Sequence, residues 1–349
     1  MSYIKKRVFL MIILIVVFLL LSTGVCAKNY EWKCIIDCLG SPATDRLRIV
    51  AKEIENATNG QLKIDIFLPG EHPYKLGDQL KAVSTGEVQM GGIIAAYVSG
   101  LEPTFMAVDL PLLAPAGDFA IYRKLFKKLV NGYYKEIFNE WGVHEVLYAL
   151  TPSQDYYFKT DWIENFDSLK GKKIRSFSKE VSNLIVLMGG IPVNLAYEDI
   201  LSALQTGLID GTTTNFVTAY QTNIFEQCKH IVMVQSHLAE EIYVVNNKAW
   251  DELPSDLQKI VQDIFDAEQD TFELSIYSQL AEAFEGACAK YNVEIRTLPK
   301  EFREELVKRA YKAIWKPWLD DAGEKGLKAF NIVIKELEDV GYKVNLPLE

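Results

Sequence analysis

The chain has 349 residues, enough for two domains of ordinary size that each bury a core. It is acidic, with a formal net charge of −10 and no basic stripe, which argues against nucleic acid and anionic membrane surfaces as partners. A small anionic ligand is not excluded, because a single arginine in a cleft creates a local field of its own.

The first 27 residues have the pattern of a secretory signal peptide. A charged start at Lys5, Lys6 and Arg7 precedes an unbroken apolar run of 14 residues over 8–21, and small residues allow cleavage after Ala27. The run is shorter than the roughly 20 residues that a membrane-spanning helix needs. We therefore expect an exported, periplasmic protein, with an uncleaved membrane anchor or a lipoprotein site at Cys26 as alternatives.

Beyond this leader, strand-like and helix-like segments alternate, which favours an α/β architecture. Apolar patterning predicts strands at 32–37, 62–68, 88–94, 143–150, 230–234, 242–246 and 293–298. Helical spacing predicts helices at 45–57, 118–141, 255–290, 300–315 and 323–340, besides shorter ones that end at Gly86 and at Gly189-Gly190. Asp118 is a candidate N-cap, and Ser255 with Gln258 has the spacing of a capping box.

The helix predicted over 255–290 is unusually long for a single domain. At 1.5 Å per residue, about 35 residues would measure about 50 Å. We therefore expect this helix to lie across two domains as a spine.

The stretch 170–216 combines the features of an anion-binding module. A lysine-flanked strand carries Arg175, and two helices and a turn at Gly207 and Asp210-Gly211 then lead to Asn215. Arg175 could hold a carboxylate through two charge-assisted hydrogen bonds in a fixed fork geometry, or it could form a structural salt bridge between domains. No nucleophile with its base occurs in this stretch, so the residues favour gripping an anion over catalysis.

Cysteine and metal patterns are sparse. Cys34 and Cys38 would lie too far apart along one strand to join, and buried free thiols are the expected state. Whether Cys228 and Cys288 join stays open. The Cys228-x-His230 pair lacks a second ligand pair at metal spacing, so we expect no metal site and no cofactor.

Catalytic signatures are also missing from the sequence. It contains no G-x-S-x-G, H-E-x-x-H or G-x-G-x-x-G motif. We therefore expect a protein that is not an enzyme, and a secreted α/β enzyme is the alternative from another functional class.

Six segments match one family together and in order: LRIVAKEIENATNGQLKIDIFLPGE, LKAVSTGEVQM, VDLPLL, FDSLKGKKIR, ALQTGLIDGTTTNF and NNKAWDELPSDLQ. From about residue 30 to 340 the chain resembles the extracytoplasmic solute-binding subunit of a TRAP transporter, the family of dicarboxylate- and sialic-acid-type receptors. The resemblance implies a two-lobed, periplasmic-binding-protein-like α/β fold with a long helix spanning both lobes. We expect lobe I to comprise 28–152 and about 240–280, and lobe II 153–239 and about 281–345.

The resemblance also implies ligand-binding residues. The arginine of the family's K-G-x-K-x-R strand clamps the ligand carboxylate, and the matching residue is Arg175. An aromatic residue before the A-L-Q helix packs over the ligand, here Tyr197, and an asparagine after the D-G turn often hydrogen-bonds it, here Asn215. Core packing of Tyr197 and turn capping by Asn215 are the alternatives.

The chain departs from the family at a second arginine that many members carry upstream of the clamp. The segment 151–159 holds none, and Gln154 and Tyr156 near the equivalent position are candidate ligand-binding residues instead. The family's usual E-N-P turn also reads T-N-F. We therefore expect a monocarboxylate with polar or aromatic parts rather than a doubly charged dicarboxylate.

Further candidates follow from their place beside predicted strands. Ligands in open α/β sheets bind beyond the carboxyl ends of strands, which favours Tyr97 and the loop 38–41. His237 precedes a predicted hinge strand and is a third candidate.

The expected function is therefore that of a receptor which binds an organic acid and delivers it to the paired TRAP membrane subunits, acting as a monomer. An ABC-type or sensor-linked solute-binding protein is the nearest alternative. A relative that has lost ligand binding but keeps the fold for protein contacts is another.

Overall fold

The computed structural model of the protein describes residues 28–36, 42–344 and 346. The predicted leader, 1–27, and the loop 37–41 with Cys38 lie outside these residues. Within them, no helix combines the length and the apolar character that a bilayer crossing needs.

The predicted strands are all present but not always with the predicted length, and one further strand lies at 211–215, where the sequence predicts only a turn that leads to Asn215. They are β1 (Tyr30–Ile35), β2 (Leu62–Phe67), β3 (Met90–Ile94), β4 (Val143–Phe158), β5 (Lys173–Ser176), β6 (Ile191–Asn194), β7 (Gly211–Asn215), β8 (His230–Met233), β9 (Leu238–Asn246) and β10 (Glu294–Thr297). Strand β4 continues well beyond the predicted 143–150, and β9 begins four residues before the predicted 242–246.

The helices are α1 (Pro42–Ala57), α2 (Gln79–Ser84), α3 (Ala95–Val98), α4 (Phe119–Val130), α5 (Tyr134–Glu140), α6 (Lys179–Leu187), α7 (Ile200–Thr206), α8 (Phe216–Gln221), α9 (Asn247–Asp251), α10 (Ser255–Tyr291), α11 (Lys300–Ala310) and α12 (Lys316–Asp339). Asp118 caps α4 as predicted, since its side chain accepts the Ile121 N–H at 3.1 Å. The predicted capping box is wrong: Ser255 is already inside α10, and the Gln258 side chain donates to the Trp250 carbonyl at 2.9 Å.

The strands form one sheet in the order β2-β1-β3-β9-β4-β7-β5-β6, with β8 beside β4 and β10 beside β8. Strand β4 belongs to both halves of this sheet. Its residues 143–153 pair with β9, whereas 154–158 pair with β7 and, from 156, also with β8. An irregularity in the register between Leu150 and Ser153 marks the change. We define lobe I as the half that contains β1, β2, β3 and β9, and lobe II as the half that contains β5, β6, β7, β8 and β10.

Helix α10 spans both lobes, as predicted. It has 37 residues, which corresponds to about 55 Å. Its first part packs against α1 in a core that includes Val261 and Phe265, and its last part packs near α8 in a separate core that includes Ala283 and Ala287. Each end of the helix is therefore anchored in the apolar interior of a different lobe.

The C-terminal helices contact both lobes. Helix α11 packs against α6 of lobe II, whereas α12 packs against α4 and the turn Pro103–Ala107 of lobe I. Trp318 lies in this second interface, where its indole N–H donates to the Pro103 carbonyl at 2.9 Å. The assignment of 281–345 to lobe II stays a prediction, and these contacts argue that α12 belongs with lobe I.

Candidate functional site

A cavity of about 70 Å³ lies between the lobes and is the candidate site. Its lobe II wall is formed by Gln154, Arg175, Phe177, Tyr197, Thr214, Asn215 and Thr218, and its lobe I wall by Leu76, Ile94, Tyr97, Ala239 and Glu241, with Thr151 of β4 between the two walls. A larger surface depression of about 380 Å³ lies beside Trp32, but its lysines, Lys28 and Lys248, are exposed. The interlobe cavity differs because it contains a buried cation.

That cation is Arg175, which β5 presents to the cavity. Its side chain is almost completely buried. Within lobe II, Nε donates to the Leu195 carbonyl at 3.2 Å and Nη1 donates to the Thr213 carbonyl at 3.2 Å. The guanidinium carbon also lies 4.9 Å from the centroid of the Phe177 ring. Main-chain atoms of lobe II thus fix the direction in which the remaining donors point.

The third hydrogen bond of Arg175 crosses to lobe I, where Nη2 donates to the Tyr97 hydroxyl at 3.0 Å. In the described part of the chain the partners of the guanidinium are therefore carbonyls, a hydroxyl and an aromatic ring, and no carboxylate is among them. The sequence alternative of an interdomain salt bridge is not what the structure shows. A charge buried without a counterion is costly, and a bound anion relieves that cost.

Asn215 and Gln154 meet at the floor of the cavity, because they are partners in the register between β4 and β7. Asn215 ends β7 and caps α8, with Oδ1 accepting the Thr218 N–H at 2.9 Å. The main-chain N–H of Gln154 donates to the His237 carbonyl at 2.9 Å. Asn215 thus caps a helix, where the alternative to ligand binding had it cap a turn, and this leaves the amide nitrogen as the group that can donate into the cavity.

The two predicted tyrosines Tyr97 and Tyr197 approach the cavity from opposite lobes. Tyr97 lies in the short helix α3, and its ring stacks on Phe177 with centroids 5.6 Å apart and an interplanar angle of 23°. Tyr197 begins a turn that leads into α7 and is partly buried. Both side chains line the same space as Arg175, so their predicted ligand contacts are geometrically available.

The structure does not bring Tyr156 and His237 to the cavity. Tyr156 is fully buried in the apolar core near Phe158, with ring centroids 6.4 Å apart. His237 is also buried; its Nδ1 lies 3.0 Å from the Ser236 hydroxyl, and burial lowers its pKa to about 3. A neutral imidazole in the linker between β8 and β9 fits a structural role better than a ligand contact.

Sequence reasoning missed Glu241 and Phe177. Glu241 lies on β9, and because the predicted strand started at Ile242, its alternation with Ala239 on one face could not be seen. Phe177 follows Arg175 at the end of β5 and stacks on Tyr97. The available signal for Phe177 was its position beyond the carboxyl end of a strand.

Metal and disulfide predictions concern residues far from this cavity. Cys34, Cys228 and Cys288 are free thiols in the structure, and burial raises the pKa of the Cys228 thiol to about 12. His230 stacks on Trp162 with centroids 4.1 Å apart. Over the described ranges no three His, Cys, Asp or Glu side chains gather where they could hold a metal ion; the absence of a metal or cofactor stays a prediction.

Two α/β lobes that share a spine helix and enclose an arginine define the class of extracytoplasmic solute-binding proteins. The family model described as bacterial extracellular solute-binding protein, family 7, matches residues 39–320, and the chain belongs to this family. This confirms the resemblance to TRAP solute-binding subunits.

Individual relatives are distant in sequence but close in fold. The sialic acid-binding periplasmic protein SiaP of Vibrio cholerae is 23% identical over 244 residues, which are 67% of this chain and 73% of SiaP. The crystal structure of DctP7, a Bordetella pertussis extracytoplasmic solute receptor binding pyroglutamic acid, has a TM-score of 0.79 at 22% identity and covers 87% of this chain and 99% of its own. A TRAP periplasmic solute-binding protein from Desulfovibrio salexigens with bound orotic acid has a TM-score of 0.80 at 22% identity, with coverages of 89% and 100%. The two-lobed fold is thereby confirmed.

Proposed function

We propose that this protein is a periplasmic receptor that captures a small organic monocarboxylate and presents it to the paired membrane subunits of a TRAP transporter. The observation that carries the proposal is Arg175, a buried cation in an interlobe cavity whose partners among the described residues are all uncharged. A guanidinium in this state gains most from a ligand carboxylate, which accepts two parallel hydrogen bonds in the geometry of its fork.

Ligands of the structural neighbours support this chemical class. The Bordetella receptor binds pyroglutamic acid and the Desulfovibrio protein holds orotic acid; each ligand is a polar ring with one carboxylate. In this chain the segment 151–159 contains no arginine. Arg175 would therefore clamp one carboxylate, without a second guanidinium beside it for another.

The hydroxyl of Tyr97 holds the place that a ligand oxygen would take. It accepts the Nη2 donor of Arg175 at 3.0 Å. A carboxylate that replaces it brings the opposite charge and accepts two parallel hydrogen bonds from the guanidinium, whereas the uncharged hydroxyl accepts one. Ligand entry would thus exchange a contact between the lobes for a contact between lobe II and the ligand.

The small size of the cavity indicates that the two lobes open to admit a ligand and then close on it. Its volume of about 70 Å³ is far below the roughly 300–1,000 Å³ of small-molecule sites, so the lobes must separate before a ligand enters. Strand β4, the linker 234–237 and helix α10 are connections about which they would turn. A ligand that touches both walls only when they approach shifts the population toward the closed state.

A binding screen on the chain 28–349 tests the proposal. Thermal unfolding would be followed with L-pyroglutamate, orotate, D-glucuronate and a broad set of other organic acids, and hits would be confirmed by calorimetry. An acid that binds only the native state adds about 2.7 kcal/mol of stability at a hundredfold excess over Kd. If no acid in the broad set raises the melting temperature, the proposal is contradicted. That result would favour the alternative in which the protein has lost ligand binding and keeps the fold for contacts with other proteins.

The absence of catalysis is part of the same proposal. Each acid that binds would be incubated with the protein and followed by NMR, and the expected result is unchanged ligand. Formation of a product would contradict the proposed receptor function and would favour a secreted α/β enzyme.

Export, partner and oligomeric state need separate measurements. We expect the secreted protein to begin at Lys28, to elute as a monomer, and to restore uptake of the bound acid only together with its TRAP membrane subunits. Mass spectrometry of the secreted chain, light scattering and reconstituted transport check these three points. Uptake that proceeds with ABC-type membrane subunits instead would overturn the assignment of the partner.

A further inference from the structure

Glu241 is a carboxyl group inside a cavity that is expected to receive a carboxylate. It lies on β9, opposite Ile94 of β3 in the register, and it is only 6% exposed. Ala239, two residues earlier on the same strand, also lines the cavity, whereas Glu240 between them does not. Because alternate residues of a strand share a face, the Glu241 side chain belongs to the cavity face of β9.

The rest of this wall offers little polarity. Leu76, Ile94 and Ala239 are apolar, and Tyr97 contributes a ring and a hydroxyl. Glu241 is therefore the charged side chain of the lobe I wall as far as the structure describes it. Arg175 is the charged side chain of the lobe II wall, and its hydrogen-bond partners do not include Glu241.

The cavity is thus lined by a cation on its lobe II wall and by a carboxyl group on its lobe I wall. A ligand whose carboxylate binds Arg175 and which extends to the lobe I wall would bring its other end near Glu241. A second carboxylate at that end would meet a like charge in a narrow interlobe space, which is unfavourable. An N–H or O–H group at that end would instead donate a hydrogen bond to a carboxyl oxygen.

We propose that Glu241 is a specificity-determining residue that selects monocarboxylates carrying an N–H or O–H donor at the end opposite the carboxylate, and that it excludes dicarboxylates of the same length. This inference rests on the proposed function, since it assumes that Arg175 anchors a ligand carboxylate. It adds a reason for the selectivity that is independent of the segment 151–159. Because the segment 151–159 lacks an arginine, it offers no attraction for a second carboxylate, whereas Glu241 would repel one.

Succinamate and succinate form a matched pair of probes. They have the same carbon chain, and one carboxylate of succinate is replaced by an amide with two N–H donors in succinamate. For the wild-type protein we expect calorimetry to show at least tenfold tighter binding of succinamate. For Glu241→Gln we expect this ratio to fall at least tenfold, because glutamine removes the charge and can itself donate to the second carboxylate.

Glu240→Gln is the matched control. The substitution is the same, and the residue adjoins Glu241 on β9, but its side chain lies outside the cavity beside Asp109. We expect this variant to keep the wild-type ratio of the two affinities. Circular dichroism and thermal unfolding of both variants would verify that β9 is intact.

The outcomes separate this inference from the proposed function. The inference is overturned if the wild-type protein binds the two probes equally or binds neither, if Glu241→Gln keeps the ratio, or if binding of succinamate requires an added metal cation. The proposed function survives all four results as long as some organic acid binds in a way that Arg175→Ala abolishes. In these binding measurements, the proposed function is contradicted when no acid shows Arg175-dependent binding.

Discussion

The two walls of the interlobe cavity differ in the contacts that the described residues make around their side chains. On the lobe II wall, carbonyls of Leu195 and Thr213 orient the Arg175 guanidinium, and the cap on α8 orients Asn215. These hydrogen bonds lie within one lobe and do not depend on the other lobe. A ligand can therefore meet an ordered lobe II wall before the lobes close.

Among the described residues, the lobe I wall contributes mainly apolar and aromatic surface. Ile94 and Ala239 contribute apolar surface, and Tyr97 reaches across the gap to stack on Phe177 and to accept a hydrogen bond from Arg175. If both proposals hold, lobe II preorganises carboxylate recognition, whereas lobe I covers the ligand and, through Glu241, selects the group at its far end. Preorganised donors lose little conformational freedom on binding, so they contribute most of the affinity.

Of the substitutions that test the difference between the walls, Arg175→Ala should have the largest effect on ligand affinity. We expect at least a hundredfold loss of affinity for the acid identified in the screen, because two charge-assisted hydrogen bonds contribute roughly 1.5–3 kcal/mol each. The fold should persist, since the guanidinium forms no ion pair among the described residues and its removal leaves no orphaned carboxylate. Calorimetry measures the affinity of the variant, and circular dichroism checks that its fold is intact.

Lys173→Ala is the matched control for that substitution. Lys173 also lies on β5, but its side chain is exposed. Its removal should leave the affinity within about twofold, as expected for a surface site. If Arg175→Ala retained wild-type affinity, the clamp would lie elsewhere and the contrast between the walls would lose its basis.

A smaller effect, on the free energy of unfolding, is expected at Asp155, a buried residue that hydrogen-bonds the linker 234–237. Its carboxylate accepts the Gln235 N–H at 2.8 Å and the Ser153 hydroxyl at 2.9 Å, yet burial outweighs these bonds and raises its pKa to about 7. Because the pKa of an unfolded aspartate is near 3.9, the folded state binds more protons between these values. The stability that this group contributes is fully present below about pH 4 and is lost as the pH rises through 7.

Asp155→Asn should abolish that dependence. Between pH 5 and pH 7 the wild-type protein should lose about 2 kcal/mol of unfolding free energy through this group, while the variant should not. Denaturant unfolding at several pH values measures the difference between the two proteins, and other titrating groups such as His237 cancel in it. Asp210→Asn is the control, since that partly exposed carboxylate also accepts a main-chain N–H, at 2.8 Å from Lys173. A difference between wild type and Asp155→Asn that stays constant with pH would exclude a titrating carboxyl at the linker.

The sequence predicts the lobe II wall much better than the lobe I wall. Arg175 lies on a short strand that local patterning predicts, and Asn215 is placed by the D-G turn in the same continuous stretch that resembles the family. Glu241 reaches the cavity only because β9 starts at Leu238 and pairs with β3, a strand far away in the chain. Strand ends that are set by such long-range pairing leave little trace in local periodicity.

Tyr156 shows a second limit of sequence reasoning. It shares its strand face with Gln154, so alternation alone assigns both residues to the cavity. In the structure Gln154 lines the cavity, whereas Tyr156 lies in the core cluster that also contains Val181 and Leu184 of α6. The point along β4 at which the side chains pass from the cavity into the core is a property of tertiary packing, and no residue type on β4 encodes it.

The smallest expected effect tests the direct contact between the walls. Tyr97→Phe removes the hydroxyl that accepts the Arg175 donor but keeps the ring that stacks on Phe177. In the empty variant the freed Arg175 donor can bind water instead, which offsets part of the lost hydrogen bond, so a ligand that no longer has to displace the hydroxyl should bind only roughly 2–10-fold more tightly. Calorimetry on Tyr97→Phe and Tyr97→Leu separates the hydroxyl from the ring, because only the second variant also loses the aromatic stacking. A weaker affinity of Tyr97→Phe would mean that the hydroxyl binds the ligand itself, and lobe I would then share in recognition as well as covering the site.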